Sequence, residues 1–223
     1  MKMDLAVVLL SGGMDSCLTA AIAVQKNDMA FLHINYGQRT EKRELRSFND
    51  IANFYKVKQR LIIDMSYFSD IGGSSLTDVQ IEISVANQDN TSIPTSYVPF
   101  RNANLLSAAT SWAEVINAKK IFIGAVEEDS LGYPDCRKSF LNAFNKLIGQ
   151  GIRPETKIEV IAPLLHFSKA EIVKKAVELK APLNLTWSCY QDEDVACGIC
   201  DSCLLRLKGF KMAGYEDPIP YRK

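Results

Sequence analysis

The sequence predicts an α/β chain: an open parallel sheet with helices on both faces, followed by a small cysteine-rich tail. Three observations carry this. Strand-like and helix-like segments alternate through most of the chain. The strand-like segments are near-continuous apolar runs, as expected for strands buried on both faces. The chain has 223 residues, of which 47% are apolar, enough for one domain with a sizeable core and an appendage. The expected division is residues 1–185 for the α/β domain and 186–223 for the tail.

Residues 4–10 read as the first buried strand, and the turn "SGG" follows it at once. The helix behind, starting at Asp15 or Ser16, presents Leu18, Ala21 and Ile22 at i, i+3, i+4 spacing. "MAFLHIN" (29–35) is the second strand. A charged helix over about 39–56 then shows Leu45, Phe48, Ala52 and Tyr55 on one side. "QRLIIDM" (59–65) is the third strand. Residues 66–100 are irregular and rich in Gly, Ser, Thr and Pro, with "VQIEISV" as a short edge strand. A helix over about 101–117 buries Leu105, Ala109, Trp112 and Ile116, and "KIFIGAV" (120–126) is the fourth strand. A helix over about 137–149 leads to the fifth strand, "KIEVIAP" (157–163). "SKAE" (168–171) has the Ser-x-x-Glu form of a capping box. The helix it opens buries Ile172, Val173, Ala176 and Val177, with Glu171 placed to pair with Lys175.

Composition excludes some function classes. Lys+Arg and Asp+Glu both number 26, which argues against a strongly electrostatic nucleic-acid binder. No apolar stretch reaches the length of a membrane span. The N-terminal "MKMDLAVVLL" lacks a signal-peptide cleavage pattern. A cytoplasmic protein is expected, with cysteines free or metal-bound.

Ligands of parallel sheets bind at the carboxyl ends of the strands, where "SGGMDS" (11–16) stands. Two glycines let the backbone approach a ligand. The helix start adds unpaired N–H groups and a positive dipole end, and Ser11 and Ser16 add hydroxyls. This is an anion site suited to phosphate. It is neither a Walker A motif nor Gly-x-Gly-x-x-Gly, and a strand–helix turn without a ligand is the alternative.

In the tail, Cys189, Cys197, Cys200 and Cys203 form C-x7-C-x2-C-x2-C. Four thiolates so spaced suit a closed tetrahedral Zn²⁺ site; an iron–sulfur cluster and four free thiols are the rival readings. Cys17 is expected to pack in the first helix. Cys136 has no nearby base to make it a nucleophile. His33 and His166 are expected in the core.

"SGGMDS" resembles the pyrophosphate loop of the PP-loop ATP pyrophosphatases. "YGQRT" (36–40), "YVPFRN" (97–102), "GYPDCR" (132–137), "APLLHFSKAEI" (162–172) and the cysteine tail are similar, in order and spacing, to the 7-cyano-7-deazaguanine synthase family. The resemblance covers nearly the whole chain. It implies a Rossmann-like open parallel sheet of the PP-loop type, with ATP, Mg²⁺ and Zn²⁺ as cofactors and the four tail cysteines as zinc ligands. The ATP loop would comprise Leu10, Ser11, Gly12, Gly13, Met14, Asp15, Ser16 and Cys17. Tyr36, Gln38, Arg39, Asn102, Tyr133 and Asp135 would meet the substrate, and Asp15 and Arg101 would be catalytic. The chemistry suits those roles. Arginines bind carboxylate or phosphate, tyrosines stack on a planar base, and Asp135 can accept from guanine-like N–H groups. Surface charges and ordinary turn residues are the alternative.

The implied reaction joins 7-carboxy-7-deazaguanine to ammonia. Adenylation of the carboxylate gives an acyl adenylate and then the amide. A second adenylation releases AMP and leaves the nitrile. Arg39 and Arg101 would stabilise the adenylated centre, and Mg²⁺ would bridge phosphates near Asp15. A homodimer is implied. Three residues depart from the family pattern: Thr40 in place of His, Phe100 in place of Gly and Leu131 in place of Ser. They leave open a related enzyme that passes the acyl group to a larger amine, such as a protein. A tRNA-modifying PP-loop enzyme and a non-catalytic nucleotide-binding module are further alternatives.

Overall fold

A computed structural model describes residues 3–83, 93–127 and 133–222. Five parallel strands form one sheet in the order β3-β2-β1-β4-β5, with β1 (Asp4–Leu9) central, β2 (Asn27–Asn35) and β3 (Arg60–Asp64) on one side, and β4 (Lys120–Phe122) and β5 (Glu159–Ile161) on the other. The helices are α1 (Met14–Ala23), α2 (Glu41–Phe54), α3 (Tyr67–Ile71), α4 (Arg101–Val115), α5 (Lys138–Gly151), α6 (Lys169–Glu178) and α7 (Asp201–Ala213).

The central strands are mostly apolar because both of their faces are covered, while edge strand β3 is half-exposed. Val7, Leu9, Leu32, Ile34 and Ile121 point to one face and pack against Ala103, Leu106 and Ala109 of α4 and Leu141, Phe144 and Ile148 of α5. Ala6, Val8, Phe31 and Phe122 point to the other, against Cys17 and Ala20 of α1 and Phe48, Ile51 and Ala52 of α2. A third cluster joins Met14, Leu18 and Ala21 of α1 to Ile172, Val173 and Ala176 of α6 and Phe210 of α7. Strand order reverses at β1, between β2 and β4. A crevice opens at such a reversal, and the Ser11–Ser16 turn lies there.

Several sequence expectations are corrected. β4 and β5 pair over three residues each. The fourth strand stops because Gly124 passes against the start of α1; a Cβ there would stand 3.0 Å from Asp15 C and from Ser16 N. Residues 79–83 form a turn and irregular chain, not a strand. Asp78 accepts from Gln80 N at 2.8 Å and bends the chain there; residues 84 and 85 of that expectation lie outside the described residues, as does Leu131. Val177 is 39% exposed, turned away from the buried 172, 173, 176 stripe. Glu171 closes a capping box with Ser168, so Lys175 pairs with Glu178 at 2.7 Å instead. His166 is exposed beside Glu127 rather than in the core, because Leu164 and Leu165 take the buried positions of that turn. His33 is fully buried, between the Leu10 carbonyl and Asn35. No described helix is long and apolar enough to cross a membrane.

Candidate active site

After Leu10 the chain turns at Gly12, which has φ of 92°, a conformation that favours glycine. The turn is also pressed against α2: a Cβ on Gly12 would stand 2.7 Å from Ser47 Cβ and 2.8 Å from the Glu44 carbonyl oxygen. Gly13 is the N-cap of α1, so the helix begins at Met14, one residue earlier than the sequence suggested. Ser16 Oγ donates to the Gly13 carbonyl at 3.0 Å, and the Ser11 and Ser16 hydroxyls lie 3.2 Å apart. The first-turn N–H groups of α1 have no acceptor within the helix. The turn therefore offers backbone donors and a dipole end at the mouth of the crevice.

Lys169, the first residue of α6, reaches across to Asp15, its Nζ 2.8 Å from Oδ2. The other carboxylate oxygen, Oδ1, is buried without a hydrogen-bond partner among the described residues. One oxygen is thus pinned by a cation while the other keeps its lone pairs, the condition of a carboxylate that can meet a metal ion at a phosphate site.

The wall facing this turn is the segment 36–47. Tyr36 is buried, and its amide donates to Gln38 Oε1 at 2.8 Å. Gln38 Nε2 in turn donates to Glu44 Oε2 at 3.2 Å, and Thr40 Oγ1 donates to Glu44 Oε1 at 3.1 Å. Burial pushes the Glu44 carboxyl up to about 7, against the hydrogen bonds from Thr40 and Gln38 and the charge of Arg101, with Glu41 adding to the rise. Arg43, the next residue back on α2, stacks its guanidinium 4.5 Å above the Trp187 ring and donates to Ser47 Oγ.

The start of α4 supplies the third side. Arg101 Nη1 donates to Tyr36 Oη at 3.1 Å, and its guanidinium lies 5.1 Å from the centre of that ring. Burial pushes the Tyr36 phenol up to about 12. Asn102 and Asp135 are both buried and bonded to each other: Asp135 Oδ2 accepts from Asn102 N at 2.8 Å and so caps α4, while Asn102 Nδ2 donates to the Asp135 carbonyl and to Cys136 Sγ. Tyr133 Oη bonds Ser96 Oγ at 2.7 Å, with its ring tilted against Tyr97. Arg39 is turned to the rim. It donates to the carbonyls of Ser75, Asp78 and Ile81 and pins that segment.

Cys189, Cys197, Cys200 and Cys203 are all buried, with their sulfurs within 4.8 Å of one another. Gly198, φ 76°, makes the turn between the second and third, and Cys200 is the N-cap of α7. Backbone N–H groups of Gln191, Asp192 and Cys197 point at Cys189 Sγ, and those of Ile199 and Cys200 at Cys197 Sγ. Cys200 and Cys203, with the Cys197 and Gln191 amides, hold the Cys189 thiol far below its ordinary range. Such a cluster can hold one tetrahedral ion. It is tied to the rest of the site: Trp187 N donates to the Gly12 carbonyl at 2.9 Å, and Tyr190 packs against both the cysteine cluster and the sheet core.

Residues 5–214 match the family described as "Queuosine biosynthesis protein QueC". The chain belongs to the QueC family. This QueC-family chain is 59% identical over 217 residues to the 7-cyano-7-deazaguanine synthase of Chlorobium chlorochromatii, covering 97% of this chain and 95% of that protein. It is 58% identical over 218 residues to the enzyme of that name from Chloroherpeton thalassium, covering 97% and 96%. Among solved structures, the U34-tRNA thiolase NcsA from Methanococcus maripaludis with its [4Fe-4S] cluster is similar at a TM-score of 0.50 and 11% identity. The match spans 82% of this chain but 59% of the thiolase, a likeness of fold.

Sequence reading of the QueC-family chain did not single out Glu44, Arg43, Lys169 or Gly124. Glu44 and Ser47 share the inner side of α2, three residues apart, but charged residues on an amphipathic helix read as solvated. Lys169 directly follows a capping serine, where an acidic residue is the favoured type; that mismatch was its one local signal.

Proposed function

We propose that this chain is an ATP-dependent ligase that converts 7-carboxy-7-deazaguanine and ammonia to 7-cyano-7-deazaguanine. Relatives of that name, aligned over 97% of the chain at 58–59% identity, carry the reading. They favour it over transfer of the acyl group to a protein amine.

The site's geometry supports this chemistry. A carboxylate becomes an electrophile when its oxygen attacks the α-phosphate of ATP. The protein's part is to hold the phosphates in line and neutralise charge. Gly12, Gly13 and the N–H groups through Ser16 would hold the departing pyrophosphate. Leu10, Met14 and Cys17 would back that turn from the sheet side. Lys169 fixes Asp15, whose buried Oδ1 would meet Mg²⁺; the metal supplies a further positive charge there. Arg101, braced by Tyr36, would stabilise the adenylated carboxyl. Arg39 would act on substrate through the 75–81 segment it holds. Asn102 and Asp135, bonded to each other, would form the floor under Tyr133.

Four thiolates around one Zn²⁺ leave no open position, so the ion would be structural. The tail 186–223 would be a zinc-held unit packed on the 1–185 domain. A homodimer is what the family resemblance implies, and a cytoplasmic location fits a biosynthetic enzyme. The test is pyrophosphate exchange into ATP that depends on the deazaguanine acid, with product mass measured in ammonium. The expected product is the nitrile, and no exchange with this acid would end the reading.

A further inference from the structure

We infer that the Glu44 carboxylate is the proton acceptor for the incoming nitrogen nucleophile, held ready by Gln38 and Thr40. The inference rests on the amide-forming reading above and adds to it the base that the reaction needs.

The need comes from the chemistry. When a neutral amine attacks an acyl adenylate, a C–N bond forms and the nitrogen becomes positively charged. A proton must leave that nitrogen before the carbon–oxygen bond to AMP breaks and the amide forms. AMP departs with the electron pair of that bond. Each turnover of this step therefore delivers one proton to a base, and water serves poorly inside a closed site.

Glu44 has the required position. Its backbone carbonyl lies against Gly12 of the phosphate turn. Its carboxyl is close enough to Arg101 to feel that charge, and Arg101 bonds Tyr36. The carboxyl is joined through Gln38 to the Tyr36 backbone, whose side chain Arg101 bonds, and it sits on the helix that backs the phosphate turn.

Its partners suit a group that changes protonation state. No ion pair among the described residues reaches it; both of its hydrogen bonds come from neutral side chains. Gln38 cannot turn round, because its Oε1 is fixed by the Tyr36 amide, so its NH₂ must face Glu44. Thr40 is different. Its hydroxyl donates to the carboxylate and can rotate to accept from the carboxylic acid. Thr40 is 2% exposed and Gln38 5%, so the pair is a built, inward feature. The charged or titratable groups facing Glu44 are Arg101 from α4, Tyr36 from the end of β2 and Glu41 on its own helix. Burial outweighs the Thr40 and Gln38 hydrogen bonds and the Arg101 charge and pushes the carboxyl up to about 7, the range in which a base accepts and returns protons with least cost.

The test uses full-length, metal-loaded protein and hydroxylamine, a nucleophile that is mostly uncharged near neutral pH, with rates expressed per uncharged hydroxylamine so that the acceptor's own titration drops out. Two rates are measured for wild type and Glu44→Gln: acid-dependent pyrophosphate exchange, and hydroxamate release. We expect release to fall at least about a hundredfold while exchange continues. In wild type, release should decline as pH falls through about 7, because only the carboxylate can take the proton. Glu44→Gln should lack that decline. Equal losses in both rates, or an unchanged pH profile, overturns the inference. If Glu44→Gln does not fold, Thr40→Val decides: losing a bond that favours the carboxylate should move the decline to higher pH, and an unmoved decline overturns the inference. Absence of exchange in wild type would instead strike the underlying ligase reading.

Discussion

The Trp187 amide donates to the Gly12 carbonyl at 2.9 Å, joining the cysteine tail to the phosphate turn. Trp187 belongs to the same apolar cluster as the four cysteines, and its ring carries the Arg43 guanidinium. The conformation of the turn is thus linked to the order of the tail. A structural metal there would affect nucleotide binding without touching it.

Metal removal should therefore show two effects. One Zn²⁺ per chain is expected by elemental analysis, and Cys200→Ser should lose it. The variant should unfold at lower temperature, because the tail's small buried cluster is mostly cysteine. It should also bind ATP more weakly, as Trp187 releases Gly12. Iron in place of zinc, or full ATP affinity after metal loss, would count against this account.

Asp15 and Lys169 should behave as a coupled pair. Asp15→Asn keeps the shape but loses the charge that Lys169 faces and that Mg²⁺ would meet. Exchange should fall by about a hundredfold or more, as for loss of a group that neutralises developing charge. Lys169→Met should lower it as well. The double variant should be less impaired than the product of the two single losses. Strict multiplicativity would mean that the 2.8 Å contact has no part in catalysis.

Gly12→Ala should be severe for stability. The backbone there has φ of 92°, and the new methyl group would meet Ser47 and the Glu44 carbonyl at under 3 Å. Left-handed strain and the clash together should cost about 2–4 kcal/mol. Gly124→Ala should cost about 1–3 kcal/mol, since its methyl would press on the backbone of Asp15 and Ser16. Chemical denaturation measures both.

The buried Arg206–Asp217 pair should be a second strong contributor to the tail's stability. Arg206 Nε and Nη2 donate to Asp217 at 2.7 and 2.9 Å, and Nη1 donates to Thr186. Both side chains are nearly inaccessible. Asp217→Asn leaves a guanidinium buried beside a neutral amide and should cost about 3–5 kcal/mol. Removing both charges with Arg206→Met in the same chain should recover much of the loss.

Parts of this were legible in sequence for local reasons. The first strand, its turn and α1 are adjacent in the chain, and an apolar run followed by Ser-Gly-Gly states that geometry directly. The four cysteines declare themselves by spacing. What escaped is what distant segments decide. Lys169 meets Asp15 across 154 positions, and nothing near residue 169 names that partner. The fourth strand read as seven residues because "KIFIGAV" is apolar to its end; it pairs over three because Gly124 must pass the start of α1. His166 sits among apolar neighbours in sequence, yet the turn buries Leu164 and Leu165 and leaves the imidazole outside.

Phe100 shows one departure from the family pattern in physical terms. It precedes α4 with φ of 57° and ψ of 24°, left-handed backbone in which glycine is at ease and a phenylalanine is strained. The resemblance places a glycine at this position, and the geometry explains why one suits it. The ring does little to offset the strain: it is 61% exposed and meets Phe140 edge-on at 6.3 Å. Phe100→Gly should therefore stabilise the fold by about 0.5–1 kcal/mol, a rise in Tm of about 1–4 °C for a chain of this size. If Phe100 serves only as a helix cap, kcat/KM for the acid should be unchanged. If its ring covers bound substrate beside Arg101, KM should rise although the protein is more stable. A fall in Tm would show that the Phe140 contact outweighs the backbone strain, and would refute this reading of the turn.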